Sequence, residues 1–223
     1  LGACDSIVVE AQNGQIVMVQ ARGEVLDLIV SVVTGRDAII GQVDEMIGFV
    51  QAGIGIIKGW MAAHQEDMEK FAVLQTGYLG MVGPDNAGEL YDGTVRLVDK
   101  NRQEIEKFDG RKYLDYIAER TEPWTYLKFP YYKKWGYPQG VYRVGPLGRL
   151  NAAQKMATPL ANAEYQVFEQ IRGGKVVEGT LYYHYARLIE ALSDVEDAER
   201  ILQDPQVTSA HIQHHGRWNY EEG

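Results

Sequence analysis

Cysteine is nearly absent from this sequence, since Cys4 is the only one among 223 residues. A single thiol cannot form a disulfide within the chain, so nothing indicates an oxidising compartment. The sequence around Cys4 also gives no reason to expect an activated thiolate. We therefore interpret Cys4 as unreactive and predict a cytoplasmic protein.

Basic residues are outnumbered: 22 Lys and Arg stand against 31 Asp and Glu, which gives a net charge of -9. Neutralising nucleic-acid phosphates or an anionic membrane requires clustered Lys and Arg. No charge-free apolar run reaches about 18 residues, and no basic leader precedes a cleavage site. These features predict no nucleic-acid partner and no membrane association.

One basic cluster is interleaved with aromatic residues and consists of Lys128, Lys133, Lys134, Arg143 and Arg149. Cations and rings in this arrangement could stack bases in principle. On an acidic chain we favour a surface for a protein partner, or solvated loop edges.

The common catalytic motifs are missing. The sequence has no G-x-S-x-G, no phosphate-binding G-x-x-x-x-G-K-[ST] and no dinucleotide-binding G-x-G-x-x-G. Gly53-Ile54-Gly55 falls inside a helical pattern and lacks the third glycine. Two carboxylate pairs, Glu221 with Glu222 and Asp194 with Asp197, resemble solvated surfaces.

Histidines offer few candidates for chemistry. His211, His214 and His215 could share a metal only if the tail were helical, and we favour a mobile or partner-facing tail. His64 lies on a predicted helix and could face either way. His184 lies between tyrosines beside an apolar stripe, which favours a structural role. An enzyme site formed by His184, Tyr185 and Arg187 would require a buried pocket there.

The segment from Trp124 to Leu150 is dense in aromatics, with prolines at 130, 138 and 146 and glycines at 136, 140, 145 and 148. Proline removes an amide donor and glycine favours left-handed geometry, so we predict a long ordered loop. Its rings either pack under a crossover or form a contact surface for another protein chain.

Strand patterns predict two small β-hairpins. SIVVEA and QIVMVQ flank Asn13-Gly14, the dipeptide that type I′ turns favour. TVRLV and EIEKF alternate on either side of a turn at residues 99–101. The glycine-rich stretch 77–93 between the helices and this hairpin is predicted to turn.

Helical spacing predicts the remaining elements. A short helix is expected over residues 24–33, a long helix or two in series from Asp37 to Phe71, and another short helix over 112–120. Thr158-Pro159 begins a helix whose predicted buried stripe is Leu160, Ala163, Val167 and Ile171. Thr180 caps the clearest helix, which Asp204-Pro205 ends.

Three runs carry a resemblance to a known family. WTYLKFPYYKKWGYPQGVYRVGPLGRLN, TLYYHYARLIEAL and GYLGMVGPDNAGELYDGTVRLVD closely resemble the large subunit of nickel-iron hydrogenases, in the cytoplasmic group coupled to NAD or other soluble carriers. The similarity extends from about Asp44 to Pro205 and is much weaker before Arg36. It implies a hydrogen-oxidising or proton-reducing parent enzyme. The implied partners are an iron-sulfur small subunit and, beyond it, a diaphorase or other carrier-reducing module.

The resemblance also implies a nickel-iron centre held by four cysteines in two C-x-x-C pairs, one near each end of the large subunit. Soft thiolates suit such a centre, and one cysteine cannot supply them. We therefore expect an interior fragment that starts after the first pair and stops before the second. An E-A-P-R-G segment, whose arginine lies beside the active site in the family, would follow the tail.

The chain departs from the family between Arg36 and Asp37, where members carry a loop with a proline-glycine-glycine element. A deletion, an omitted piece or a divergent relative would each explain this departure. We accordingly predict two parts, residues 1–36 with a hairpin and short helix, and residues 37–223 as an interior domain of the large subunit.

Taken together, the sequence predicts an α+β fold, mainly helical, with two antiparallel hairpins and the long aromatic loop. The leading hypothesis is an inactive scaffold fragment of a hydrogenase large subunit, with no catalytic, cofactor-binding or metal-binding residue of its own. The alternative is a complete, non-catalytic relative that binds proteins through residues 124–150.

Overall fold

The computed structural model describes residues 7–12, 15–20, 36–171 and 173–204. It divides the chain into two compact units, one formed by residues 1–47 and 198–223 and the other by residues 48–197. The predicted division after residue 36 stays a prediction. The mixture of helices and small sheets confirms the α+β class.

The strands among the described residues are β1 (Ile7–Gln12), β2 (Gln15–Gln20), β3 (Gly77–Val82), β4 (Thr94–Val98), β5 (Glu104–Phe108), β6 (Ile117–Glu122), β7 (Thr125–Tyr132) and β8 (Tyr142–Arg143). The α-helices are α1 (Arg36–Ala63), α2 (Gln65–Lys70), α3 (Tyr113–Tyr116), α4 (Gly145–Ala152), α5 (Pro159–Ile171) and α6 (Tyr182–Leu202).

The first predicted hairpin is confirmed. β1 and β2 pair antiparallel, with Ile7 opposite Gln20 and Gln12 opposite Gln15. The predicted helix over residues 24–33 lies outside the described residues.

The predicted long helix is also confirmed, as α1 followed by α2. We expected the glycines of this region to allow close approach of another helix. Of Gly48, Gly53, Gly55 and Gly59, only Gly53 has such a neighbour, because a Cβ there would lie 3.7 Å from Leu188 of α6.

The surface of α1 is unusually apolar. Over Ile39–Ala63 the helix is long and apolar enough to cross a membrane by length and composition, and 6% of its most apolar stretch is buried. This finding departs from the expectation that no segment could span a membrane. Length and composition alone do not distinguish a membrane span from a helix that another protein surface covers.

A four-stranded sheet in the order β5-β4-β3-β8 forms part of the larger unit. The second predicted hairpin is confirmed as β4 and β5, which pair antiparallel. The prediction that residues 77–82 turn was wrong, since they form β3 inside the sheet, antiparallel to β4 and parallel to β8. Glycine within a strand often marks close approach of another backbone, and helix α4 lies against Gly80.

β6 and β7 form a third hairpin, which the sequence analysis did not predict. Two predictions for this region were wrong. Residues 112–120 were expected to form a helix, but α3 ends at Tyr116 and β6 begins at Ile117. Residues 124–150 were expected to form one long loop, but they contain β7, β8 and the start of α4. Pro130 sits within β7, opposite Glu119. A two-stranded sheet tolerates proline because each strand has an unpaired edge toward which the missing amide can face.

Helix α5 was placed correctly, but its buried face was not. We expected Leu160, Ala163, Val167 and Ile171 to be buried, whereas the buried residues are Ala161, Tyr165 and Phe168. The aromatic pair bridges α5 to the buried Tyr185 of α6, since the ring centroids of Phe168 and Tyr185 are 6.3 Å apart. Large rings bury more apolar area than the aliphatic residues on the other face, so they decide which side faces inward.

Helix α6 confirms its prediction, and its buried residues include Tyr185, Leu192 and Val195. Glu190 and Ser193 share that buried face. A buried carboxylate requires a charged or hydrogen-bonding partner, so we expect one for Glu190 on an element that packs on α6.

Candidate functional site

An ion pair with a buried carboxylate joins α4 to α6 in the larger unit. Arg149 donates from Nε and Nη2 to the two carboxylate oxygens of Glu190, each at 2.7 Å. The Glu190 side chain is 8% exposed and that of Arg149 is 31% exposed. This hydrogen bonding to Glu190 raises the pKa of the Arg149 guanidinium. The pair is a bidentate link of the kind that fixes one element against another.

An acidic cavity of about 180 Å³ adjoins this pair, lined in part by Glu89, Asp194 and Asp197. Burial raises the pKa of the Asp194 carboxyl, and the nearby charge of Asp197 adds to the effect. Glu89 accepts hydrogen bonds from the backbone amides of residues 90 and 91, each at 2.9 Å. Asp194 and Asp197 line this cavity, and Asp194 is exposed, in agreement with the prediction of solvated carboxylates.

A second polar cluster surrounds Tyr185, one of the sequence candidates. Its buried ring places the hydroxyl 2.7 Å from a Glu164 carboxylate oxygen, and Lys58 lies 2.6 Å from the same oxygen. The pKa of the Tyr185 hydroxyl is raised, mainly by burial and to a smaller extent by its hydrogen bond to Glu164. Lys58 and Tyr185 also line a cavity of about 410 Å³. The cluster ties α1, α5 and α6 together.

His184, Tyr185 and Arg187 do not form the buried pocket that an enzyme site there would require. His184 and Arg187 are exposed, whereas Tyr185 is buried. His184 and Arg187 are three residues apart and share the exposed face of the helix, whereas Tyr185 points inward. Sequence reasoning missed Glu164 and Lys58, the residues that Tyr185 does meet, because they come from distant helices and show no local signal.

The basic cluster does not form one surface. Lys128 pairs with Glu119 at 2.9 Å and Lys134 pairs with Glu106 at 2.6 Å. Lys133 donates to the carbonyl of Leu114. Arg143 bonds to Thr180 and to the carbonyl of Ala72, and Arg149 pairs with Glu190. Each cation thus serves a separate local contact.

The hairpin of β6 and β7 is anchored at its base and free at its tip. Ile117 and Tyr132 at the base are buried and pack with Leu97 of the four-stranded sheet. We define the aromatic tip as Trp124, Tyr126 and Leu127. In it Trp124 is 75% exposed and Tyr126 is 94% exposed.

The metal-ligand candidates are scattered or lie beyond the described ranges. Within residues 7–12, 15–20, 36–171 and 173–204, no three His, Cys, Asp or Glu side chains are grouped to hold a metal ion. His64 is exposed and stacks on Trp60, with ring centroids 4.4 Å apart. Cys4, His211, His214, His215, Glu221 and Glu222 lie outside the described residues.

Comparisons with known proteins bear on this arrangement. No family model matches the chain. The A component of the vhu F420-non-reducing hydrogenase of Methanocaldococcus jannaschii is 40% identical over 177 residues, which are 79% of this chain and 42% of that protein. The beta component of the NAD-reducing hydrogenase HoxS of Cupriavidus necator is 34% identical over 165 residues, 74% of this chain and 34% of its own length.

A solved hydrogenase structure also resembles this chain. An NAD+-reducing [NiFe]-hydrogenase in the H2-reduced state matches with a TM-score of 0.74 and 33% identity, over 82% of this chain and 41% of that chain. The chain thus spans about two-fifths of the length of these relatives, or less. The chain is homologous to subunits of F420-non-reducing and NAD-reducing hydrogenases.

Proposed function

We propose that this homologue of hydrogenase subunits is an interior part of a nickel-iron hydrogenase large subunit, whose intact enzyme catalyses reversible hydrogen oxidation. The observation that carries the proposal is the structural match to an NAD+-reducing [NiFe]-hydrogenase, at 33% identity and a TM-score of 0.74. Likeness of fold at this level of identity supports common descent more strongly than fold alone does.

The chain's own residues do not fit a nickel-iron centre. A bimetallic centre of this kind requires several soft thiolate ligands, and the sequence has one cysteine. The polar clusters around Arg149 and Tyr185 are ion pairs and hydrogen bonds between helices, which is the chemistry of a scaffold. We infer that these residues position helices and that the metal ligands would come from other sequence.

In this proposal the protein works in the cytoplasm, beside the iron-sulfur small subunit of the enzyme and a diaphorase or other carrier-reducing module. The single cysteine and the acidic net charge of -9 support this setting. The apolar surface of α1 is then a face that other protein covers, and not a membrane span. A detergent-free extraction in which the protein fractionates with membranes would contradict this part of the proposal.

Reading the genomic frame on both sides of the chain tests the main proposal. We expect it to encode both C-x-x-C pairs, and we expect the expressed product to bind nickel stoichiometrically and to oxidise hydrogen with a soluble acceptor. The matched control is the 223-residue chain expressed alone, which should bind no stoichiometric nickel. A frame that closes after Gly223, with no cysteine pair, would refute the proposal.

The exposed aromatic tip favours a second candidate, a non-catalytic relative that binds proteins through the segment 124–150. Trp124 and Tyr126 are 75% and 94% exposed, and rings at a hairpin tip are available for contact with a partner. Under this alternative the isolated 223-residue chain binds its partner fully, and a longer product gains nothing.

A further inference from the structure

One side of helix α1 packs on the larger unit. Ile54 is 3% exposed, and a Cβ at Gly53 would lie 3.7 Å from Leu188 of α6. Lys58 lies 2.6 Å from the Glu164 carboxylate of α5. Residues three or four positions apart share a side of a helix, so these contacts fix which side of α1 faces inward.

The opposite side of α1 is apolar and exposed. Phe49 is 73% exposed, Ile56 is 75% exposed and Trp60 is 38% exposed. Small residues run beside these three at the same helical spacing, and they are Gly48, Ala52, Gly55, Gly59 and Ala63. We call the three large and the five small residues together the outer face of α1. It contains no charged side chain.

The small residues form a shallow groove along the outer face. Apart from the backbone of α1 itself and adjacent residues, nothing in the described part of the chain lies within 4 Å of a Cβ at Gly48, Gly55 or Gly59. Glycine in an exposed helix interior is destabilising relative to alanine. Because glycine lets another backbone come close, this groove suits a second helix that packs tightly along α1.

The composition of the outer face is that of a permanent protein interface. Transient interfaces are about as polar as the rest of a protein surface, whereas obligate ones resemble a core cut in half. The only charged residue among residues 48–63 is Lys58, and it pairs inward with Glu164. A membrane span would break that pair and expose Ile54 to lipid, whereas a protein partner leaves both contacts intact.

The lengths of the relatives indicate where such a partner comes from. This chain corresponds to 42% of the A component of the vhu hydrogenase and to 41% of the solved hydrogenase chain, so more than half of each lies outside the matched region. We propose that the outer face of α1 is covered by a helix from the same polypeptide outside these 223 residues, through an uncharged apolar face. This inference rests on the proposed function, under which the chain is an interior part of a large subunit.

Photocrosslinking in the product of the complete reading frame identifies the occupant directly. The photoreactive residue p-benzoylphenylalanine replaces Ile56 in one variant and Trp60 in a second, and mass spectrometry identifies the joined peptides in the assembled enzyme. Both positions should join to peptides of the same polypeptide outside the 223 residues, with no band of higher mass on a denaturing gel. The matched control is the same probe in the 223-residue chain alone, which should give no such product.

Gly55→Gln combined with Gly59→Gln tests the close approach of the second helix. In the 223-residue chain the new side chains meet open space, and glutamine favours a helix more than glycine does. The melting temperature of that chain should therefore rise by about 3 °C or more. In the complete product the same side chains meet the covering helix, so the melting temperature should fall by about 2 °C or more. A rise in both proteins would show an open groove and contradict the inference.

The remaining outcomes separate this inference from the proposed function. If the complete product carries both C-x-x-C pairs but position 56 joins to another subunit or to a second copy, the inference is overturned while the proposed function stands. A crosslink to lipid overturns the inference together with the cytoplasmic setting. A reading frame without the cysteine pairs and without further helical sequence refutes the proposed function and removes the occupant, so both fall.

Discussion

Removing the carboxylate of Glu190 should destabilise the larger unit more than any surface change. In Glu190→Ala the Arg149 guanidinium loses two hydrogen bonds of 2.7 Å each. Loss of one partner from a buried pair costs about 3–5 kcal/mol. Because the Arg149 side chain is 31% exposed, water compensates in part. We therefore expect a loss of about 2–3 kcal/mol in the free energy of unfolding.

Urea denaturation followed by circular dichroism measures this effect. Slopes of about 1–3 kcal/mol per molar urea turn the expected loss into a midpoint shift of about 1 M. The control is Glu66→Ala, which removes an equally short helix pair with Lys70 whose Glu66 side chain is 78% exposed. That surface pair should contribute less than about 0.5 kcal/mol.

A double substitution distinguishes a buried-charge penalty from lost packing. Replacing both partners, as Arg149→Met with Glu190→Met, removes the unpaired charge and keeps side-chain volume, so the double variant should recover most of the loss. The reasoning is refuted if Glu190→Ala resembles the Glu66 control, or if the double variant is as unstable as the sum of the single ones.

Three further substitutions test other contacts. Gly80→Ala places a Cβ 2.6 Å from the Arg149 Cα, and urea denaturation should show a loss of about 1–3 kcal/mol. Asn151→Ala leaves two buried backbone groups of residue 177 unbonded, and the same assay should show about 2–4 kcal/mol. The pKa of the Glu106 carboxyl lies below its usual range, mainly because Lys134 donates a hydrogen bond to it and secondly because the Tyr132 hydroxyl does. The ionised carboxylate therefore contributes stability above its unfolded pKa of about 4.3, lost as pH falls through the folded pKa. The melting temperature of Glu106→Gln should fall less than that of wild type as the pH is lowered.

Long elements with strong periodicity were predictable from the sequence. α1, α5 and α6 begin close to the positions predicted from the sequence, because helical spacing is a local signal. The buried face of α5 was not predictable, since its orientation depends on which residues meet Tyr185 across the helix interface. Phe168 makes that contact and stacks on Tyr165 of its own helix, and nothing within the helix itself marks these rings as the inward side.

The strand within residues 124–150 was not predictable for a different reason. Proline and glycine at this density correctly predict turns, such as those after Tyr132, but they do not exclude a strand at the edge of a two-stranded sheet. Pro130 is accommodated because β7 pairs on one side only. The loop prediction failed because the density of proline and glycine was taken to exclude any strand. The polar partners of Tyr185 were not predictable either, because Lys58 and Glu164 are far from it in sequence.

The runs that carry the family resemblance meet each other in the fold. GYLGMV supplies β3 and GPLGRLN supplies α4, and the two backbones approach closely at two glycines. A Cβ at Gly80 would lie 2.6 Å from the Arg149 Cα of α4. A Cβ at Gly148 would lie 3.1 Å from the Leu79 carbonyl oxygen of β3 and 2.6 Å from the Arg143 carbonyl oxygen of β8. These distances are too short for a side chain, so a chain that packs α4 on the sheet in this way needs glycine at both positions. The same approach brings Arg149 to Glu190 on α6. Sequence runs without any metal ligand can therefore indicate a family, because they specify how its scaffold packs.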